Sequence, residues 1–148
     1  RIRLSIPEVA LTTDVIVGFP GETDDQFRRT LDLVKEIRFD TVHVAAYSHR
    51  PGTWATRHLK DNVRSPVKKE RKRLVEVAQE QIALETNSKL KGQTVEVLVE
   101  GQEKGKWRGR TRTDKLVFFS DDAGHSGHLV KIKIDKAGPW WLEGCLSF

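Results

Sequence analysis

The spacing of apolar and polar positions changes along the chain, and the change divides it in two. Val15, Ile16 and Val17 form a continuous β-branched run, the pattern of a strand covered on both faces, as in a parallel sheet. Gly18, Pro20 and Gly21 end that run, and Thr23-Asp24-Asp25-Gln26 supplies an N-cap with Gln26 placed to complete a capping box. Phe27, Leu31, Val34 and Ile37 then recur at helical spacing, predicting a helix over about Asp24 to Arg38 whose acidic start and basic end suit the helix dipole. From Thr41 to Tyr47 the period is two, with Val42, Val44 and Ala46 on one side and His43, Ala45 and Tyr47 on the other. Strand, helix and strand with short links predict a parallel βαβ unit with a right-handed crossover. Two strands do not make a stable α/β sheet alone, so the expectation is the last part of a larger barrel.

Ser65 and Pro66 suit the start of a long helix, and Val67, Leu74, Val75, Ala78 and Ile82 mark its apolar stripe. At Leu90-Lys91-Gly92 helical periodicity gives way to short alternating segments: Thr94 to Glu100, Lys106 to Arg112, Leu116 to Phe119, Leu129 to Ile134 and Trp140 to Leu146. Five strands with glycine-containing turns predict a small antiparallel barrel of the oligonucleotide-binding type. The expected organisation is therefore an α/β part over residues 1–64, a connecting basic helix over 65–91 and an all-β barrel over 92–148.

Charge adds a partner class to this picture. Lys and Arg number 26 against 21 Asp and Glu in 148 residues, and the sequence pI is about 9.5. Much of the excess lies between Arg57 and Arg73, where eight basic residues meet only Asp61 and Glu70; such a run is a solvated helix face or a phosphate-contacting one. In the barrel, Arg108, Arg110 and Arg112 fall two apart, so one strand sends all three to the same side, with Lys104, Lys106 and Lys115 flanking them. Arginines so arranged can follow a phosphate backbone or stack on bases. No apolar run approaches the roughly 20 residues that span a bilayer, and no signal-peptide pattern is present, so the expected location is the cytoplasm with no membrane partner.

Cys145 is the single cysteine, which excludes an internal disulfide and any multi-cysteine metal or iron-sulfur site within these residues; its apolar strand end suggests a small core residue. His125 and His128 sit among glycine and serine and read as loop residues rather than a ligand pair. Of Trp140 and Trp141, an alternating strand would bury one.

Two strand-end segments carry a family resemblance. Thr13-Asp14-Val15-Ile16-Val17-Gly18-Phe19-Pro20-Gly21-Glu22-Thr23 resembles the strand-loop signature of radical S-adenosylmethionine methylthiotransferases, and Tyr47-Ser48-His49-Arg50-Pro51-Gly52-Thr53-Trp54-Ala55 resembles their Tyr-Ser-x-Arg-Pro-Gly-Thr-x-Ala segment, with Trp54 where proline is usual. The runs Gly92 to Glu100, Gly109 to Phe119, Gly127 to Ile134 and Leu142-Glu143-Gly144 resemble the TRAM domain, the small RNA-binding barrel that ends these enzymes.

The resemblance implies the last βαβ part of a radical S-adenosylmethionine partial barrel followed by a TRAM barrel. Val17, Gly18, Pro20 and Glu22 would edge the S-adenosylmethionine pocket, with Tyr47 and Arg50 at the barrel mouth. Lys104, Lys106, Arg108, Arg110, Arg112 and Lys115 would hold the tRNA anticodon stem-loop. It also implies two 4Fe-4S clusters bound by cysteines in N-terminal domains outside this sequence, so that no residue here is a catalytic acid, base or nucleophile and this stretch alone is expected to be inactive. A full enzyme of this kind adds a methylthio group to a modified adenosine beside the anticodon. A sister enzyme that modifies an aspartate of a ribosomal protein, and a non-catalytic RNA-binding module, are the alternatives.

Overall fold

The structure is a computed structural model that describes residues 1–147. Its elements are α1 (Ile2–Ser5), β1 (Thr12–Val17), α2 (Asp24–Ile37), β2 (Thr41–Ala46), α3 (Trp54–His58), α4 (Ser65–Ser88), β3 (Thr94–Glu103), β4 (Lys106–Thr111), β5 (Leu116–Phe119), β6 (Leu129–Ala137) and β7 (Leu142–Leu146). They fall into two compact units, Leu11–Ile82 and Arg1–Ala10 with Ala83–Phe148, the division falling within α4.

The first unit contains the βαβ motif. β1 and β2 pair in parallel, from Thr12 opposite Thr41 to Val17 opposite Ala46. The capping box that starts α2 is formed: Thr23 Oγ1 accepts from the Gln26 N–H at 3.2 Å, and Gln26 Oε1 accepts from the Thr23 N–H at 2.9 Å. Val17 and Val42 from the strands, Phe27 and Val34 from α2, and Val75 and Ile82 from α4 make the core. Both helices contribute to this one cluster, so the other face of the two-stranded sheet is bare. Ile16 is 58% exposed, and Thr12, Asp14, His43 and Ala45 are exposed beside it. Among the described residues the β-branched run is therefore covered on one face. Pro51-Gly52 leads into α3, where Thr53 is the N-cap and Trp54 takes the first helical position, the place proline favours. That geometry would accept a proline and shows the turn forming with tryptophan.

The second unit is a closed five-stranded barrel of order β3-β4-β5-β7-β6, with β6 returning to β3 and only the β5–β7 pair parallel. Val97, Val99, Trp107, Val117, Phe119, Ile132, Ile134 and Leu142 fill it. Alternation puts these residues inside and sends their neighbours to solvent. Gly109 and Gly144 stand where strands approach closely: a Cβ at Gly144 would overlap the Lys133 carbonyl oxygen and lie 2.8 Å from its carbon. Asn87 of α4 is buried and donates to the carbonyls of Gly138 and Pro139 at 2.8 and 3.0 Å, fixing the β6–β7 turn.

Two residues in this unit differ from expectation. β7 begins at Leu142, so Trp140 and Trp141 belong to the turn before it, and both are exposed, at 54% and 38%. Cys145 is exposed as well, because Leu142 takes the inward position and the next outward one after Glu143 falls to the cysteine.

Candidate nucleic-acid interface and strand-end loops

The barrel face is set by the pleat of β4. Trp107 and Gly109 point inward and are buried, and Arg108 and Arg110 point out with Arg112 beyond them, as the two-residue spacing requires. Their side chains are 44%, 43% and 85% exposed. The guanidinium groups are not bare, however. Arg108 bonds Glu103 at 3.2 Å, Arg110 lies 3.4 Å from Glu100 and 3.1 Å from Asp114, and Arg112 bonds Glu96 at 3.1 Å. The antiparallel register of β3 against β4 brings this acidic ladder alongside the basic one. Such exposed pairs contribute little stability, on the order of 0–1 kcal/mol each, so an incoming phosphate can compete for the arginine.

The flanking lysines differ among themselves. Lys104 sits at the β3–β4 hairpin tip with φ 50°, beside Gly105 at φ 79°, and is exposed. Lys106 bonds Glu143 at 2.8 Å, and Lys136 reaches the same carboxylate at 3.2 Å. Those two hydrogen bonds, Lys106 foremost, hold Glu143 below the usual glutamate range. Lys115 is half-buried, and its backbone N–H donates to Thr111 Oγ1. His125 packs its ring against Trp107 and Phe119, both with centroids at 5.6 Å, and hydrogen-bonds Asp121, whose carboxyl is thereby lowered. His128 is exposed and uses its backbone in the turn.

The strand-end residues of the first unit form a second cluster. Val17 is fully buried, and its carbonyl accepts from the Tyr47 N–H at 2.9 Å, which brings the two strand ends side by side. Gly18 has φ 69°, and a Cβ there would overlap the Lys68 side chain. The Gly18 N–H donates to Glu22 Oε2 at 2.6 Å, and the same oxygen takes Arg71 Nη1 at 2.6 Å. Arg71 also bonds the Glu22 carbonyl at 3.1 Å and Asp24 at 2.7 Å. Pro20 is half-buried. Tyr47 places its ring edge-on to Phe19, centroids 5.2 Å apart, and Lys68 Nζ lies 5.0 Å over that ring while bonding Asp61 at 2.6 Å. Arg50 is exposed, and its carbonyl accepts from the Thr53 and Thr56 hydroxyls.

Sequence reading missed Lys68 and Arg71, which are only 8% and 5% exposed. The signal was available: counting back from Ile82 through Gln79 and Val75 in steps of three and four reaches Arg71 and then Lys68. Among the described residues no group of three His, Cys, Asp or Glu side chains converges, and no helix is long and apolar enough to cross a membrane.

Comparison with known proteins adds to this geometry. Residues 88–146 match the TRAM domain family. The chain is 56% identical over 147 residues to the tRNA-2-methylthio-N(6)-dimethylallyladenosine synthase of Chloroflexus aurantiacus, covering 97% of this chain and 32% of that protein. The same-named enzymes of Roseiflexus sp. and Bacillus cereus are 52% and 48% identical, over 99% and 97% of this chain and 32% and 29% of theirs. The chain thus spans about a third of the length of the curated relatives it matches, and is similar to their C-terminal part.

Proposed function

We propose that this chain is the C-terminal part of a tRNA methylthiotransferase, in which the barrel binds tRNA near the anticodon and the βαβ unit supplies one edge of an S-adenosylmethionine pocket. The observation that carries the proposal is the 56% identity along nearly the whole chain to an enzyme named for methylthiolation of a tRNA adenosine. A closed barrel in the TRAM region, with three arginines on one outward strand face, supports the RNA-binding half. The setting would be the cytoplasm, where tRNA is modified.

The strand-end cluster fits a nucleoside cofactor. The carboxyl ends of β1 and β2 lie together, as ligand-binding ends of parallel strands do, and the loop between Gly18 and Glu22 turns with φ 69° at Gly18, which Lys68 covers, and φ 84° at Gly21, where a side chain would meet open space. Gly18, Pro20, Tyr47 and Arg50 would line the pocket edge, Tyr47 with an aromatic face and Arg50 with a cation. Val17, fully buried, would back the pocket, and Glu22 would act by holding the Gly18–Gly21 backbone in shape. The reductive cleavage of S-adenosylmethionine would be supplied by iron-sulfur clusters held elsewhere in the enzyme; what these residues do is bind and orient.

The test is salt-dependent binding of the chain to a tRNA anticodon stem-loop, beside a variant with Arg108, Arg110 and Arg112 changed to Ala. Affinity should fall with salt, and the log-log slope of the variant should flatten by up to about three units. Equal and weak binding by both proteins would refute the barrel face as an RNA grip.

A further inference from the structure

A second feature crosses the arginine ladder on the outside of the barrel. Leu129 of β6 stands opposite Leu98 of β3, Leu98 opposite Arg110 of β4, and Arg110 opposite Leu116 of β5. Trp141 lies in the turn just before Leu142, the partner of Val117, with its indole against Gly138. Val117 points into the core at 0% exposure, and alternation turns Leu116 outward. The result is one row, Leu129, Leu98, Arg110 and Leu116, running across β6, β3, β4 and β5, with Trp141 in the turn that leads into β7. Leu129 is 60% exposed, Leu98 49% and Trp141 38%.

Outward positions of a small antiparallel barrel are ordinarily polar, and here they are so on either side of the row: Glu96, Lys131 and Lys133 toward one end, Glu143 toward the other. The adjacent exposed Leu98 and Leu129, continued through Arg110 to the half-buried Leu116, are a departure that marks an interaction surface. Its surroundings identify the partner. Lys131 lies opposite Glu96, which bonds Arg112, so two cations and a carboxylate flank the row on one side; Arg108, bonded to Glu103 and opposite Phe118, flanks it on the other. Exposed leucines beside an arginine, with cations and their paired carboxylates along both margins, suit unpaired bases with their phosphates to the sides. At the centre, Arg110 is tied to Glu100 and Asp114, which occupies its donors and leaves the plane of the guanidinium available for stacking.

We infer that this row is a base-binding track for single-stranded RNA, with Leu116, Leu98 and Leu129 receiving base faces, Arg110 stacking among them, the exposed Trp141 of the turn before β7 taking a further base, and Arg108, Arg112 and Lys131 facing the backbone. The inference rests on the RNA-binding reading above and extends it from phosphate contact to contact with bases.

The experiment measures binding of the chain, of Leu98→Ser with Leu129→Ser, and separately of Trp141→Ala, to a single-stranded oligouridine, to an RNA duplex of equal length and to the anticodon stem-loop, each over a salt series. The wild type should prefer the single strand to the duplex. Each variant should lose roughly tenfold in affinity for the single strand with an unchanged salt slope, because stacking is not ionic. RNA should quench tryptophan fluorescence in the wild type and much less in Trp141→Ala. Both leucines are exposed, so the leucine variant keeps its fold, checked by an unchanged melting temperature, and tests the track even if Trp141→Ala is damaged. Variants that bind like a wild type which does bind RNA would overturn the track and leave the arginine reading intact. A loss accompanied by a flatter salt slope would also overturn it, since phosphate contacts would then be what was lost. A wild type that binds no RNA would overturn both.

Discussion

Removing the charge of Arg71 should loosen the Gly18–Glu22 loop far more than removing an arginine from the surface of the same unit. The Arg71 side chain is 6% exposed and Glu22 12%, while its other partner, Asp24, is 80% exposed. Only the Glu22 contact is desolvated, so only it carries a large penalty when broken. Arg71→Met keeps the aliphatic stem beside Phe27, whose ring the guanidinium carbon approaches to 5.4 Å, and leaves the Glu22 carboxylate buried with the Gly18 N–H still donating to it. Breaking one side of a buried ion pair costs about 3–5 kcal/mol, whereas the Arg28–Asp25 pair, 74% and 76% exposed, is worth about 0–1 kcal/mol. The Gly18 amide reports directly on the loop, because its hydrogen bond ends on Glu22. At 1.4 kcal/mol per tenfold, its hydrogen exchange should quicken by roughly a hundredfold to a few thousandfold in Arg71→Met and by less than about fivefold in Arg28→Met. Adding Glu22→Gln to Arg71→Met should recover most of the protection, since a neutral amide oxygen still accepts from Gly18 without a buried charge. Equal effects of the two single variants, or a double variant as loose as Arg71→Met, would refute the assignment of loop stability to this pair.

Two further expectations concern the barrel. Gly144→Ala should destabilise it at or above the upper end of the about 1–3 kcal/mol typical of overpacking, because Gly144 is paired to Ile134 on one side and Phe119 on the other and cannot retreat from Lys133; thermal unfolding should show this, with Gly124→Ala, which meets open space, unchanged. Glu143, lowered by Lys106 and then Lys136, contributes stability that is present above the ordinary glutamate pKa and lost as pH falls through its depressed native value. Lys106→Met should therefore move the Glu143 titration upward, as followed by carboxyl carbon NMR shifts, and make stability less dependent on pH in that acidic window.

The barrel was legible because its information is local. Each strand alternates, each turn carries its glycine, and the inward sequence Trp107, Gly109 follows from the period alone. The acids facing Arg108, Arg110 and Arg112 were not legible, since Glu103, Glu100 and Glu96 meet them only through the β3–β4 register, which shifts between Val99 and Gly101. The same limit applies to the track: Leu98 and Leu129 lie 31 positions apart and become neighbours only when β6 closes on β3. Trp140 and Trp141 were misassigned for a simpler reason. They continue the apolar run of β7, yet Gly138-Pro139 holds them in the turn, and Asn87, far away in sequence, secures it.

The basic stretch from Arg57 to Arg73 shows why charge counted along a chain does not measure the field it presents. Its helical phase is fixed by Val75 and Ile82, which must face the core, and that phase forces positions 68, 71 and 79 onto the same side. Lys68 and Arg71 are consequently withdrawn from the surface and matched to Asp61, Glu22 and Asp24, and Gln79 donates to the carbonyls of Phe39 and Asp40. Two more cations are matched on the helix itself, Lys72 by Glu76 and Arg73 by Glu70, the latter closely enough to raise the arginine and lower the glutamate. Of the five α4 cations in a run that reads as a strong positive patch, Lys68 and Arg71 are thus taken inside, while Lys72 and Arg73, at 39% and 59% side-chain exposure, are paired in the open. The barrel arginines are paired too, but at 43–85% side-chain exposure their carboxylates are weak competitors for a phosphate or a base. Exposure of the pair, rather than the count of charges, therefore separates cations that hold the fold from cations that can meet RNA.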